Sequence, residues 1–360
     1  MVDDASSGAV RPPRVVTLGG GHGQAALLAA LCRVDCDITA IVSVADDGGC
    51  SGRLRKELGM PPPGDVRRCL TTLARNRRLA ERFEVRLMSA SDVASDAAPD
   101  VTRSAGNLAL ADAYHTFGSL QAAVDWAGEL LQCRGRVVPV AEVPGVLAVY
   151  DMVAGALQGE TTVASRAQAP VVTVVHGPEQ ANPAAVEAIG TADFVFMGPG
   201  SFITSTLATL TTAEVAEAIV ETDATRIMMH NVASEGDQTE RFTLLDYVRL
   251  LRDHLVIRSG EEDFDFAVLR HPGPEEPPRF ARRTLGDGTV ELVAPLCRAA
   301  ENRHDTELVA AALGHHLGFR PRPPGSLVPP PTTDGDASFE ASLARAQRRL
   351  FRTDGEATNG

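Results

Sequence analysis

Residues 14–31 read RVVTLGGGHGQAALLAAL, and this segment gives the clearest indication of the fold class. The apolar run RVVTL enters a cluster of glycines, and the alanines and leucines that follow favour a helix. A strand, a glycine turn and a helix in this order begin the phosphate-binding unit of many α/β proteins. Gly21, Gly23 and Ala26 fit the permissive GxGxxA pattern, in which glycines let backbone N–H groups approach a phosphate at the helix N-terminus.

Strand and helix patterns alternate along most of the chain. The apolar runs ITAIVSVA (38–45) and ADFVFM (192–197) do not alternate with polar residues, which is typical of parallel strands buried on both faces. Further strands are predicted at VRLMSA (85–90), RIMMHNV (226–232) and DFAVLRH (265–271). The alternation predicts an α/β fold: a doubly wound, mostly parallel Rossmann-like sheet, within a single α/β domain over residues 14–320.

Residues 137–175 interrupt this alternation. The segments VVPVAEV, LAVYDMV, TTVAS and PVVTVVHG are β-rich and are separated by glycine and proline. This pattern predicts a small antiparallel β insertion in the α/β domain.

Residues 321–360 differ in composition from the body. PRPPGSLVPPPTTDGD (321–336) is typical of a linker, and a flexible C-terminal tail is expected. Within that tail, SFEASLARAQRRLF (338–351) indicates a short amphipathic helix, with an apolar stripe made by Phe339, Leu343, Leu350 and Phe351. We expect this helix to dock on the body or on a partner.

The composition excludes several classes of protein. The chain has 360 residues and a net charge of −13, and the acidic balance argues against nucleic acid as a partner. No apolar run reaches the roughly 20 residues of a membrane-spanning helix, and residues 1–14 lack the apolar core of a secretory signal. We therefore expect a cytoplasmic protein with no membrane span. The six cysteines include no CxxC pair, which predicts reduced thiols and no zinc site.

Two further loops carry polar residues that can bind a ligand. DDGGCSGRLR (46–55) offers two carboxylates for Mg²⁺ or a sugar hydroxyl and two arginines for phosphate. A nicotinamide-binding Rossmann site, the rival interpretation, needs only one acid here. GPGS (198–201) is predicted to face the other loops, because strand-end loops of a parallel sheet share one edge. Each loop can also be an ordinary turn that caps a helix.

A series of motifs occurs in an order that resembles the CofD/YvcK family: VVTLGGGHG, ITAIVSVADDGGCSGRLRKELGMPPPGDVRRCL, SAGNLAL, LLQCRGRVVPV, ADFVFMGPGSFITS and MMHNVASEGDQT. The similarity covers about residues 14–270 and is most specific over 38–70. It is closer to the YvcK-type branch, the gluconeogenesis factors, than to the CofD branch of phospholactate transferases. The resemblance implies binding of a UDP-sugar, and a role in cell shape and envelope synthesis during growth on gluconeogenic carbon.

The loops and the resemblance together predict one ligand-binding site and no catalytic residue. Asp46 and Asp47 would also be metal ligands if the protein were a transferase. The expected ligand-binding residues are Gly19, Gly20, Gly21, His22, Gly23, Asp46, Asp47, Gly48, Gly49, Ser51, Arg53, Asp65, Arg67, Asn107, Gly198, Pro199, Gly200, Ser201, Thr204 and Asn231.

Several positions depart from the family pattern. His22 replaces the threonine of GGGTG, and Cys50 stands where serine is usual. Arg103 replaces the histidine of HSxGN, and Ile203 replaces a tyrosine that is associated with nucleotide-sugar binding. The segment ASEGDQT (233–239) also diverges.

Two main functions remain open at this point. The first is a regulatory protein that binds a nucleotide sugar such as UDP-N-acetylglucosamine, requires no cofactor and signals to envelope or central-carbon enzymes. The second is a phospholactate-transferase-like enzyme that uses Mg²⁺ and a phosphorylated carboxylic acid donor. Assembly into a homo-oligomer is compatible with both.

Overall fold

An eight-stranded sheet forms the centre of the protein. The computed structural model describes residues 11–87, 103–151, 155–166, 170–172, 180–210, 212–233, 239–299, 301–322 and 334–351. The strands are β1 (Arg14–Gly19), β2 (Asp37–Val42), β3 (Arg86–Leu87), β4 (Arg103–Ser104), β5 (Gly135–Pro139), β6 (Ala148–Asp151), β7 (Gly155–Gln158), β8 (Pro170–Val172), β9 (Phe194–Met197), β10 (Thr225–Met229), β11 (Ala267–Arg270), β12 (Ala281–Thr284) and β13 (Val290–Val293).

Helices cover the sheet and connect most of its strands. They are α1 (Gly21–Leu31), α2 (Gly49–Leu58), α3 (Gly64–Leu73), α4 (Arg77–Glu84), α5 (Ala105–Phe117), α6 (Leu120–Leu131), α7 (Glu160–Arg166), α8 (Pro183–Gly190), α9 (Ala213–Glu221), α10 (Leu244–Ser259), α11 (Thr306–Leu317) and α12 (Asp334–Phe351). A π-helical turn, Phe202–Leu207, follows β9. No helix in the described ranges combines the length and the apolar character needed to cross a membrane.

The strand order is β12-β13-β11-β10-β9-β1-β2-β5. All neighbouring strands are parallel except β12, which runs antiparallel to β13 at the edge. The chain builds β2 and β5 on one side of β1, and β9 to β13 on the other. This arrangement confirms the predicted doubly wound, mostly parallel sheet. Its switch point lies between β1 and β9, where open α/β sheets form a ligand crevice.

The buried residues explain why the inner strands lack alternation. Val15, Val16 and Leu18 of β1 are all buried, as are Ala40, Ile41 and Val42 of β2. Helices on both faces of a parallel sheet remove the polar side that would give a period of two. The apolar runs seen in the sequence are therefore the centre of the core.

Gln24 is a buried polar residue that connects α1 to the two central strands. Its Nε2 donates hydrogen bonds to the carbonyl oxygens of Thr17 (3.2 Å) and Ile41 (3.0 Å). Its Oε1 accepts from Sγ of Cys69 on α3 (3.4 Å). One side chain thus joins β1, β2, α1 and α3 immediately below the first glycine loop.

Three strand predictions need correction. In the described residues, the segment VRLMSA (85–90) contributes β3, which pairs with β4 in a two-stranded ribbon separate from the central sheet. Residues 88–90 lie outside the described residues. VVPVAEV does not belong to the insertion, because β5 is the edge strand of the central sheet, parallel to β2. The antiparallel insertion is a three-stranded sheet in the order β7-β6-β8. The segment TTVAS, predicted to be β-rich, is instead part of helix α7.

The C-terminal helix is present and packs on the body. Phe339 is buried and Leu343 packs against the core, as the stripe predicts. The side chains of Leu350 and Phe351 lie outside the described residues, as does most of the proline-rich segment. Before that segment, Arg322 donates hydrogen bonds to the carbonyl oxygens of Val34 (3.1 Å) and Cys36 (3.0 Å).

We expect Gln24→Met to lower the free energy of unfolding by about 1–3 kcal/mol, because it removes the donor of two buried hydrogen bonds at nearly constant volume. Urea unfolding measures the change. Gln180→Met, at an exposed position, is the matched control and should leave stability nearly unchanged. Equal midpoints for the two variants would contradict this role of Gln24.

Candidate functional site

A cavity of about 510 Å³ opens at the carboxyl ends of β1, β2 and β9. Most of the predicted site residues line it: Gly21, His22, Gly23, Asp46, Gly48, Ser51, Asp65, Arg67, Asn107, Gly200, Ser201 and Thr204. Seven other predicted residues do not: Gly19, Gly20, Asp47, Arg53, Gly198, Pro199 and Asn231. The surroundings of Gly49 are not described. The cavity also contains residues that the sequence did not indicate: Gly64, Arg68, Arg86, Glu160 and Ser205.

The loops after β1 and β9 touch each other at the switch point. A Cβ atom on Gly23 would lie 2.5 Å from Cα of Gly200 and 2.6 Å from the carbonyl carbon of Pro199. Non-bonded carbon atoms do not approach so closely, so the contact requires glycine at position 23. A Cβ on Gly20 would lie 2.4 Å from Oδ2 of Asp65, so glycine at this position lets the carboxylate pack against the first loop. The contact of Gly23 with Gly200 brings the loops after β1 and β9 together into one wall.

Asn231 holds the loop after β9 from behind. The backbone N–H of Gly200 donates to its Oδ1 (3.1 Å), and its Nδ2 donates to the carbonyl oxygen of Gly200 (2.7 Å). The peptide bond between Gly198 and Pro199 is cis. Ser201 then accepts a hydrogen bond from the N–H of Thr204 (3.3 Å) and begins the π-helical turn. Asn231 therefore supports the wall of the cavity instead of lining it.

Three carboxyl groups from distant parts of the chain meet in the cavity. Asp46 accepts a hydrogen bond from the N–H of Gly48 (2.9 Å) and shares another with Glu160. Burial, followed by the charge of Asp46, raises the pKa of Glu160 to about 9. The same two causes raise the pKa of Asp65 to about 6. At neutral pH, Glu160 keeps its proton, which reduces the negative charge of the cavity.

Asp47 binds the residue that follows Glu160. Its Oδ1 accepts hydrogen bonds from the backbone N–H (2.8 Å) and the hydroxyl (2.7 Å) of Thr161, and so ties the loop after β2 to α7. Among the residues that the structure describes, no three His, Cys, Asp or Glu side chains are grouped to hold a metal ion. Asp46 and Asp47 stay predicted Mg²⁺ ligands under the transferase alternative only, and we assign no step to a metal.

Arginines supply the positive charge of the cavity. Arg67 is only 4% exposed and forms an ion pair with Glu84 of α4. Its buried Nε has no hydrogen-bond partner within the described part of the chain. Arg68 pairs with Asp65, at 3.2 Å between Nη1 and Oδ1. A charged donor that is buried and incompletely bonded is suited to an anionic oxygen.

A second cavity, of about 820 Å³, lies further along the same edge of the sheet. It adjoins β10, β11 and β13, and its walls include Phe242, Tyr247 and Asn231. The Gly200–Asn231 hydrogen bonds stand between the two cavities, since Gly200 lines the first and Asn231 the second. The sequence did not indicate this cavity, because its residues are spread from 230 to 302 and no glycine-rich loop marks them.

The family profile described as 2-phospho-L-lactate transferase CofD matches residues 15–287. The chain belongs to the CofD family. It is 33% identical over 315 residues to a protein of Bacillus subtilis named gluconeogenesis factor, a match that covers 84% of this chain and 97% of that relative. A gluconeogenesis factor of Halalkalibacterium halodurans is 31% identical, covering 88% of this chain and 100% of that relative.

Other CofD-family relatives differ in length or have a solved structure. A relative in Nostoc sp. is 35% identical over 280 residues, which make up 76% of this chain and 59% of that longer relative. The crystal structure of protein BH3568 from Bacillus halodurans has a similar fold, with a TM-score of 0.73 and 27% identity. It covers 84% of this chain and 99% of that protein.

The positions that depart from the CofD-family pattern have different surroundings. His22 lines the cavity and is exposed, and the positive charge of Arg68, followed by burial, lowers its pKa. Ile203 is fully buried in the core and does not line either cavity. Arg103 pairs with Glu57 of α2, 2.9 Å away. Of His22, Ile203 and Arg103, only His22 lines a cavity. Cys50 has no described side chain, and residues 234–238 lie outside the described residues.

We expect Gly23→Ala to lower the free energy of unfolding by about 1–3 kcal/mol, because the added methyl group must displace the backbone at Gly200. Gly190→Ala is the matched control, since a Cβ there meets nothing within 4 Å. Thermal unfolding compares the two variants. Similar melting temperatures for both would show that the loops after β1 and β9 are not in close contact.

The raised pKa of Asp65 predicts a pH effect. A carboxyl that holds its proton more tightly in the folded state makes the protein less stable as the pH rises from about 4 to about 6. In Asp65→Asn this contribution is absent, so the stability of the variant relative to wild type should increase over that range. Asp223→Asn, at an exposed position, should keep the wild-type profile. Urea unfolding at several pH values measures the free energy of unfolding of each protein. Parallel dependence on pH for Asp65→Asn and wild type would contradict the raised pKa of Asp65.

Proposed function

We propose that the protein is a gluconeogenesis factor that binds a nucleotide sugar, such as UDP-N-acetylglucosamine, and acts as a regulator and not as a catalyst. The observation that carries the proposal is the pair of cavities along one edge of the sheet, the first with arginines and the second with aromatic residues. A nucleotide sugar has a charged diphosphate between two larger uncharged groups, and it therefore needs adjoining sites of different character.

The first cavity is the proposed diphosphate site. Arg67 and Arg68 provide charged donors, and Ser201 and Ser205 provide hydroxyl groups. The N-terminus of α1 adds backbone N–H groups and roughly half a positive charge. Protonation of Glu160 removes one of the negative charges that would otherwise repel the ligand.

The second cavity is the proposed site for the nucleoside or the sugar. Tyr247 forms edge contacts with the rings of His230 (4.6 Å between centroids) and Phe242 (5.3 Å). Aromatic rings of this kind offer apolar surface to a base or a sugar ring. Glu240 and Asn302 line the same cavity and can bond to base or sugar hydroxyl groups.

The names of the relatives support the biological part of the proposal. Gluconeogenesis factors match most of this chain. We propose that the protein acts in the cytoplasm, supports cell shape and envelope synthesis on gluconeogenic carbon, and transmits ligand binding to an envelope or central-carbon enzyme.

Arg68→Ala should weaken the binding of UDP-N-acetylglucosamine by about 10-fold or more, since a charge-assisted hydrogen bond contributes roughly 1.5–3 kcal/mol. Isothermal titration calorimetry measures the affinity. Arg53→Ala is the matched control, because Arg53 does not line the cavity, and it should change the affinity less than about twofold.

Two results would overturn the proposal. If the wild-type protein does not bind at millimolar ligand, the nucleotide sugar is not its ligand. If Arg53→Ala and Arg68→Ala lose the same affinity, the ligand does not bind in the first cavity as assigned. The family description leaves a transferase as the second candidate. Mg²⁺-dependent consumption of a phosphorylated carboxylic acid by the same preparation would favour that enzyme over a regulator.

A further inference from the structure

The C-terminal helix α12 packs against the part of the protein that forms the first cavity, and it lies beyond residues 15–287, which the family profile matches. Its main neighbour is α5, and it also approaches α6. Phe339 and Ser342 are buried in this contact, together with Ala346. The helix therefore packs against the body through one face.

Polar contacts fix the position of α12 on α5. Asp112 of α5 has a fully buried side chain. Its Oδ2 accepts hydrogen bonds from the hydroxyl of Ser342 (2.8 Å) and from Nε of Arg345 (2.9 Å). Both of these partners belong to α12. A buried carboxylate that loses its donors is strongly destabilised, so Asp112 favours the docked position of the helix.

Aromatic packing connects α12 to α4. The ring of Phe339 stacks on the ring of Phe83, with 4.7 Å between centroids and 24° between planes. Arg82 lies over Phe339, 5.1 Å from its centroid, and pairs with Asp336 at 3.0 Å. The last turn of α4 is thus held by α12.

The same turn of α4 contacts the wall of the cavity. A Cβ on Gly106 would lie 2.6 Å from Cδ1 of Phe83 and 2.9 Å from Cδ of Arg67, so these three residues are tightly packed. Gly106 precedes Asn107, which lines the cavity. Glu84 follows Phe83 and holds the guanidinium of Arg67. A continuous series of contacts therefore joins Phe339 to Arg67 and Asn107.

We propose that α12 is a regulatory helix whose docking on α4 and α5 holds Arg67 and Asn107 in the arrangement that binds the anionic ligand. Release of α12 weakens ligand binding, and bound ligand strengthens docking by the same factor, because coupling between two sites is reciprocal. Phe339 is accordingly a positioning residue for the ligand site. The ligand part of this inference rests on the proposed function above, whereas the contact with the cavity wall does not.

The first test uses the full-length protein without ligand. In Phe339→Ala, hydrogen exchange should become faster in α12 and also at the backbone amides of residues 105–108. Phe339→Leu should largely restore protection, because it keeps apolar volume against Phe83. Ser338→Ala, an exposed neighbour on α12, is the matched control and should match wild type. Faster exchange in α12 alone, with residues 105–108 unchanged, would show that α12 only covers the surface and would overturn the proposal.

The second test measures ligand affinity by calorimetry. Phe339→Ala should weaken binding of UDP-N-acetylglucosamine by at least about 5-fold, the lower range of typical coupling between sites. Arg345→Gln, which removes one partner of Asp112 at an exposed position, gives a milder second variant if Phe339→Ala does not fold.

Bound ligand should slow hydrogen exchange of α12 in the wild-type protein. Unchanged affinity in folded variants with a released α12 would refute the coupling. If wild type binds no nucleotide sugar, the proposed function fails, and the ligand-free exchange experiment still decides the role of α12.

Discussion

The contact between Gly23 and Gly200 is the constraint on which the site depends. It joins the loops after β1 and β9 where the order of the strands reverses, and it leaves no room for a side chain at position 23. Asn231 fixes the Gly200 peptide from the other side, and Gln24 connects the base of the first loop to β1 and β2. The crevice of an open parallel sheet thereby becomes a cavity with a rigid wall.

Charge balance determines what this cavity can hold. Arg67 and Arg68 face a group of acids, and full ionisation of those acids would repel an anion. Burial and mutual repulsion instead keep a proton on Glu160. Asp47 contributes to the architecture in another way, because it binds the first turn of α7 and so places Glu160 beside Asp46. The insertion is thus part of the site and not an appendage of the sheet.

Local sequence patterns predicted the fold and the glycine-rich loops that line the first cavity. Unbroken apolar runs gave β1, β2 and β9, and glycine turns after them gave the loops that line the cavity. Glu160 and the second cavity could not be predicted, because they reach the site through contacts between residues far apart in sequence. The hydrogen bonds of Asp47 to Thr161 could not be predicted either, because these two residues are also far apart in sequence. The segment 85–90 misled because two of its residues pair in a short ribbon outside the main sheet.

A crystal structure of the protein with bound UDP-N-acetylglucosamine would test the proposed ligand site. We expect the diphosphate to lie in the first cavity, with phosphate oxygens within hydrogen-bond distance of Arg67 or Arg68. The remainder of the ligand should extend past Gly200 towards the second cavity. A ligand bound elsewhere on the protein, or one whose phosphates lie away from these arginines, would contradict it.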